Sequence, residues 1–250
     1  MPEIIQIVAI HGRTEDGNGV SRPFRCEGED GFDYFVKLKN AGHECLVKEW
    51  VAGPLAQVMG LPAAEVRQVR IPPELIVGNK EYEADLGQGL AFGSLKVEAA
   101  ERLSLEFIRS DDDGTLSRIL LFDWWVRNSD RALTEIGGNP NLLWEVEPGR
   151  VVMIDHDNAF DHAFDAAAFR EFHALRSHLG AWEPALRGEL LAWLEAGLSR
   201  LEAIWAEIPE EWLVDSHGDS RCRLDKQGLN AVLSSFHTDP AFWNIPANPS

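Results

Sequence analysis

Short runs of alternating or β-branched apolar residues dominate the first hundred positions, and helical spacing of large apolar groups dominates the rest. Residues 4–10 read as a strand, and the polar, turn-rich stretch Gly12–Gly19 follows. Ser21–Cys26 reads as a short strand and Glu27–Gly31 as a hairpin turn. Phe32–Lys39 alternates, with Tyr34, Val36 and Leu38 on one face and Phe35, Lys37 and Lys39 on the other. His43–Met59 is helical by pattern, with Leu46, Trp50, Leu55 and Val58 recurring at spacings of 3–5 before the stop at Gly60 and Pro62. Pro54 interrupts that pattern at a cost of about 3 kcal/mol or more, so the helix either kinks there or restarts.

Further strands are expected at Glu65–Ile71 and Leu90–Val97. Thr115–Val126 is a helix carrying Leu116, Ile119, Leu120 and Trp124, and it ends in the polar run Arg127–Asp130. Two short strands, Asn141–Val146 and Arg150–Ile154, are joined by Glu147-Pro148-Gly149. Beyond Asp165 the pattern is helical, with one long apolar stripe from Leu190 to Ile208 and another over Leu229–Phe236. The expected plan is α+β, a mixed sheet unit to about residue 93 followed by a mostly helical one. No internal repeat or low-complexity tract is present.

Composition narrows the partners. A net charge of −18 repels phosphate on average, which argues against general nucleic-acid binding and against docking on an anionic membrane. No apolar run reaches the roughly 18–20 residues that span a bilayer. Met-Pro-Glu-Ile-Ile lacks a secretory signature, and Cys26, Cys45 and Cys222 have no paired spacing. The expectation is a cytoplasmic protein without disulfides. His11, His43, His173, His178, His217 and His237 are scattered and read as surface or packed side chains, and the nine tryptophans as core.

Four features carry chemistry. Gly17-Asn18-Gly19-Val20-Ser21 is a flexible turn ahead of a strand, where backbone N–H groups can approach phosphates; alone it is also an ordinary turn. Lys37 stands in a strongly apolar strand and needs either solvent at a sheet edge or a partner, for which Glu49 on the next helix is the natural choice. Asp130 follows a helix, and Asn139 or Asn141 precedes a strand. That is the layout of a phosphotransfer loop, in which a carboxylate addresses the acceptor hydroxyl and an amide binds Mg²⁺; the plain alternative is a solvated helix end. Finally, Val151–Ile154 delivers Asp155 to the end of a buried strand, where a carboxylate needs a partner such as Mg²⁺ bound to triphosphate. Each signal is modest, but their joint order is that of a kinase.

With these residues in view, the chain resembles the HipA-like kinase family and, more distantly, the phosphatidylinositol kinases, over about Gly19–Phe160. The resemblance rests on Ser21-Arg22-Pro23-Phe24, Tyr34-Phe35-Val36-Lys37, Glu49 leading into Gly60-Leu61-Pro62, and Ala91-Phe92-Gly93-Ser94. Its most specific segments are Phe122–Arg131, Asn139-Pro140-Asn141-Leu142-Leu143 and Ile154-Asp155-His156. It implies a two-lobed kinase-like fold, with residues 1–93 as nucleotide-binding lobe and 94–250 as catalytic, mostly helical lobe. It also implies ATP and Mg²⁺ as cofactors and a hydroxyl acceptor on a protein Ser/Thr or a small molecule. Lys37 would grip the phosphates, Glu49 would orient it, Asp130 would be the catalytic carboxylate and Asp155 the main metal ligand. Gly19 and Ser21 would lie in the phosphate loop.

The pattern departs in two places, one being Pro54 in the helix that bears Glu49 and the other the metal-binding amide. The family's metal-binding Asn falls about five residues after the catalytic Asp; Glu135 stands there, inside what reads as a small insertion, Thr134–Gly138. Asn141 fits best and Asn139 is the alternative. Two rival readings accompany the kinase: a pseudokinase that binds nucleotide or a partner without turnover, and a metal-dependent hydrolase built on Asp155, His156, Asp157, Asp161 and His162.

Overall fold

The computed structural model describes residues 3–13, 22–108, 114–134, 137–179, 186–214, 217 and 222–243. The first strands are β1 (Ile4–Arg13), β2 (Phe24–Gly28) and β3 (Asp33–Lys37), followed by the helix α1 (His43–Val58) and the strands β4 (Val66–Ile71) and β5 (Gly89–Leu95). The five strands form a closed barrel in the order β1-β2-β3-β5-β4. All neighbours run antiparallel except at the seam, where Ile4, Ile5 and Gln6 of β1 pair in parallel with Gln68, Val69 and Arg70 of β4. Tyr34 and Val36 point into the packed interior, as their alternation predicts, and Phe24 and Cys26 of β2 join them without exposure.

The helix predicted over His43–Met59 is present as one continuous element. Pro54 lies inside it and forgoes a bond to the Trp50 carbonyl one turn back, without ending the helix. Gly60 ends it: at φ 79° it donates to the Gln57 carbonyl while Leu61 donates to that of Ala56, the paired bonds of a Schellman stop.

The chain continues through β6 (Ala100–Arg102), α2 (Leu105–Ile108), α3 (Thr115–Trp125), the hairpin β7 (Ala132–Thr134) and β8 (Gly137–Asn139), and the strands β9 (Leu142–Glu145) and β10 (Arg150–Met153). β10, β9 and β6 make a three-stranded antiparallel sheet. The segment after α1 joins it to the barrel: Met153 donates to the Pro62 carbonyl at 2.7 Å, and Ala64 donates to that of Met153 at 2.9 Å.

The remaining helices are α4 (Ala166–Phe172), α5 (Arg187–Leu198), α6 (Leu201–Ala206), α7 (Glu210–Leu213), α8 (Lys226–Leu233) and α9 (Ser235–Thr238). The stripe from Leu190 to Ile208 is therefore divided between α5 and α6 and the turn beyond them. These helices fold back on α1 and the barrel. The Trp193 indole donates to the Met59 carbonyl at 2.8 Å, and Gln68 of β4 donates to that of Glu207 at 2.7 Å. The Trp212 indole donates to the Leu90 carbonyl at 2.9 Å and meets Trp50 edge-on. Buried apolar residues from Ile5 to Phe242 accordingly form one cluster. Among the described residues, no helix is long and apolar enough to cross a membrane.

Candidate active site

Lys37 is the last residue of β3, and both faces of the strand are covered there, leaving it 5% exposed. The reading of Lys37 as an edge-strand lysine in solvent is thereby overturned. A buried ammonium needs anions, and three reach it: Glu49 Oε1 at 2.7 Å, Asp155 Oδ1 at 2.6 Å and Asp157 Oδ2 at 3.2 Å. Burial opposes its charge, but Glu49 and Asp155 outweigh that and hold the Lys37 pKa well above its usual value.

Glu49 sits on the face of α1 turned to the barrel and is 3% exposed. Burial pushes its carboxyl up to about 7 despite Lys37 beside it. Its second oxygen accepts the backbone N–H of His156 at 2.9 Å, so one carboxylate ties β3 to the chain that carries Asp155. His156 is buried below: Nδ1 lies 3.9 Å from Glu49, and its ring meets Phe122 edge-on. Burial drives its pKa down to about 3, so the imidazole is neutral.

Asp155 follows β10, as its apolar approach predicts. Burial raises its carboxyl, but Lys37 more than offsets this and holds it below the ordinary value. Asp130, beyond α3, is shifted the other way, raised first by burial and then by Asp155 and Asp157. The apparent insertion after it is the β7–β8 hairpin, which pairs Ala132 with Asn139 and so returns the chain to its starting point. Gly138 permits this: at φ 149° it passes so close to Ala132 that an added Cβ would strike the carbonyl. Asn141 thus arrives beside Asp130 and donates from Nδ2 to Oδ2 at 2.9 Å. Asn139 is exposed on the hairpin and accepts the Asn141 N–H at 3.4 Å. Of the two amides, Asn141 is the one that reaches the carboxylates.

Carboxylate oxygens of Asp130, Asp155 and Asp157 lie within 4.8 Å of one another, a hard-oxygen set of the kind a divalent cation of the Mg²⁺ type takes, and the Asn141 amide stands beside it. The residues present therefore fit such an ion. Asp161 and His162 take no part in this group; Asp161 accepts from Ser129 Oγ and from the Ala163 N–H. The hydrolase set fails to converge for that reason. Gly19 and Ser21 lie outside the described residues.

Three residues had no part in the kinase reading of the sequence, Asp157 being placed only in the hydrolase set. Asp157 is two positions past Asp155, beyond the end of β10 at Met153 and the left-handed turn at Asp155, so strand alternation gives no signal for it. Asp123 and Arg131 are each 0% exposed and paired, Nε to Oδ2, at 2.8 Å. An Asp inside an apolar helix, with an Arg eight residues on, was the available signal. Asn141 at φ 48° and Asp155 at φ 55° both adopt left-handed backbone, a conformation costing roughly 1–3 kcal/mol and concentrated at functional sites.

A family model described as HipA-like kinase matches residues 7–246. Among solved structures, a crystal structure of the Helicobacter pylori proinflammatory kinase CtkA is similar at 12% identity, with a TM-score of 0.48 and 94% of each chain covered. No curated protein matches the sequence.

Proposed function

Because this chain belongs to the HipA-like kinase family, we propose that it transfers the γ-phosphoryl group of ATP to a hydroxyl, with a protein Ser or Thr as acceptor. The observation that carries the reading is the meeting of Lys37 with Glu49 and Asp155, residues 12 and 118 positions away, beside the Asp130–Asn141 pair. In this reading residues 1–93 form a nucleotide lobe, 94–250 a catalytic lobe, and these side chains line the cleft between them.

Asp130 receives the proton of the acceptor hydroxyl, whose oxygen forms the new bond to phosphorus as the bond to the β-phosphate oxygen breaks and ADP leaves. Its upward-shifted pKa suits a carboxylate that must take up that proton. Lys37, held charged by Glu49, binds the phosphates and offsets the charge that develops on them. Asp155, Asp157 and Asn141 would hold a divalent cation, which supplies neutralisation of the triphosphate when bound. The Glu49 bond to the His156 N–H keeps Lys37 and Asp155 in one register before substrate arrives.

The test is phosphate transfer from radiolabelled ATP with Mg²⁺, scored on the chain itself and on a panel of Ser/Thr peptides. Native protein should transfer phosphate, EDTA should stop it, and Asp130→Asn and Asp155→Asn should each lower the rate at least about 100-fold. Undiminished transfer by both variants would overturn the assignment. Nucleotide binding without transfer to any acceptor would return the chain to the pseudokinase reading.

A further inference from the structure

Arg131 is fully buried immediately after the catalytic carboxylate, and the reaction just described gives it no role. A guanidinium without solvent must have its charge neutralised; here ion pairing does so, while Nε and Nη2 find no hydrogen-bond partner among the described residues. Asp123 supplies the charge, and is itself fixed by Asn128 Nδ2 at 3.0 Å and by His173 Nε2 at 3.2 Å. The His173 ring has a defined orientation, because its Nδ1 accepts the Leu175 N–H at 3.1 Å and leaves Nε2 to donate. Burial works against the Asp123 carboxylate, but Arg131 and His173 outweigh it and keep it ionised.

The opposite end of Arg131 does something a mere core ion pair would not. Its Nη1 is directed at three backbone carbonyls, those of Pro140 at 3.4 Å, Ile154 at 3.2 Å and Asn141 closer still. The Asn141 carbonyl belongs to the residue whose amide meets Asp130. The Ile154 carbonyl belongs to the peptide that leads into Asp155. Both Asn141 and Asp155 have positive φ, and such residues keep that conformation only where their surroundings dictate it. The Ile154 N–H also donates to the Asn141 carbonyl at 3.0 Å, so the two strained turns share one set of bonds centred on the guanidinium.

We propose that Arg131, anchored by Asp123, is the positioning residue for both cation-binding side chains, Asn141 and Asp155, and links their backbones to Asp130. The proposal rests on the phosphotransfer reading. A flat fork that addresses a carboxylate on one edge and carbonyls on the other is a task for Arg; Lys can neutralise Asp123 or reach a carbonyl, but cannot do both in one plane. Arg131→Lys therefore preserves the charge and removes the bridge.

The measurement is Mn²⁺ affinity by electron paramagnetic resonance, with a non-hydrolysable ATP analogue, on native protein and on Arg131→Lys, alongside analogue affinity in EDTA. Partners one bond removed from a metal ligand are worth about 10–100-fold in affinity, and a loss of that size is expected. Analogue binding without metal should stay within about twofold, a pattern that simple loosening of the core would not give. Mn²⁺ affinity within about twofold of native in the folded variant overturns the proposal. A native chain that binds neither Mn²⁺ nor the analogue overturns the phosphotransfer reading instead, and the two failures are thereby separate. Should Arg131→Lys not fold, hydrogen exchange on the native chain decides: Mn²⁺ with analogue should slow amides in 129–133 together with those in 139–143 and 152–157. Slowing of the latter two alone overturns the proposal.

Discussion

Replacing Trp212 with Phe tests whether the C-terminal helices hold the helix that bears Glu49. Trp212 is fully buried, its indole N–H donates to the Leu90 carbonyl at 2.9 Å, and its ring lies 6.0 Å from that of Trp50 at 80°. Phe keeps an aromatic ring against Trp50 but has no donor. Loss of a buried hydrogen bond costs about 1 kcal/mol, and up to about 3 where the partner is left dry. The smaller ring leaves a void worth about 1 kcal/mol at the slope found for core truncations. The sum, about 2–3 kcal/mol, is a large share of the 5–15 kcal/mol typical of folded proteins. In urea the unfolding midpoint should fall by about 1 M with the slope unchanged, since m lies near 2–3 kcal/mol/M for a chain of this size. Analogue binding should weaken in parallel, because Trp50 is the neighbour of Glu49 on α1. A loss below about 0.5 kcal/mol would refute the reasoning. The C-terminal helices would then be passengers on α1.

Three further outcomes follow from the site and the barrel. His156→Phe isolates the one histidine with a pKa near 3: below about pH 6.5 the unfolded chain takes up a proton that the fold refuses, so stability falls as pH falls. Relative to the native chain the variant should gain about 2 kcal/mol between pH 7 and pH 5, read from paired urea titrations, and parallel curves would contradict it. Lys37→Met leaves Glu49 buried without a cation and should cost about 3 kcal/mol at pH 8. Because the Glu49 pKa is already raised to about 7, protonation relieves that penalty, and thermal melts should show the loss shrinking toward pH 5. Gly93→Ala places a Cβ 2.7 Å from Val69 Cγ1 inside the barrel and should destabilise by about 1–3 kcal/mol; a melting temperature unchanged within a degree would refute the close approach.

The elements with strong periodicity were the ones readable in the sequence. β3, α1, β4, α3 and the pair β9–β10 follow their apolar patterns to within about two residues, because each buries one face against the same core. Phe32 did not: it begins an aromatic run yet is 59% exposed, since the turn after Gly28 holds it outside the ladder. The β7–β8 hairpin was invisible for another reason. Its glycine-containing strand is exposed throughout, so no hydrophobic pattern marks it, and only backbone pairing defines it.

The site divides along the same line. Lys37, Glu49, Asp130, Asn141 and Asp155 stand out by residue type set against local pattern, and they converge. Arg131 and Asp123 stand in the very segment that carries the resemblance, yet their partners are three carbonyls and a histidine 50 residues away from Asp123. Carbonyls have no letter of their own in a sequence, so a side chain whose work is to hold backbone leaves only its own name behind.

The parallel seam between Ile4–Gln6 and Gln68–Arg70 has a bearing on recognition. An open sheet presents a row of unpaired backbone groups along its outermost strand, and many domains capture an extended peptide by letting it complete that row. Here the first and last strands of the barrel satisfy each other. An incoming polypeptide therefore has no vacant strand position to fill along that seam.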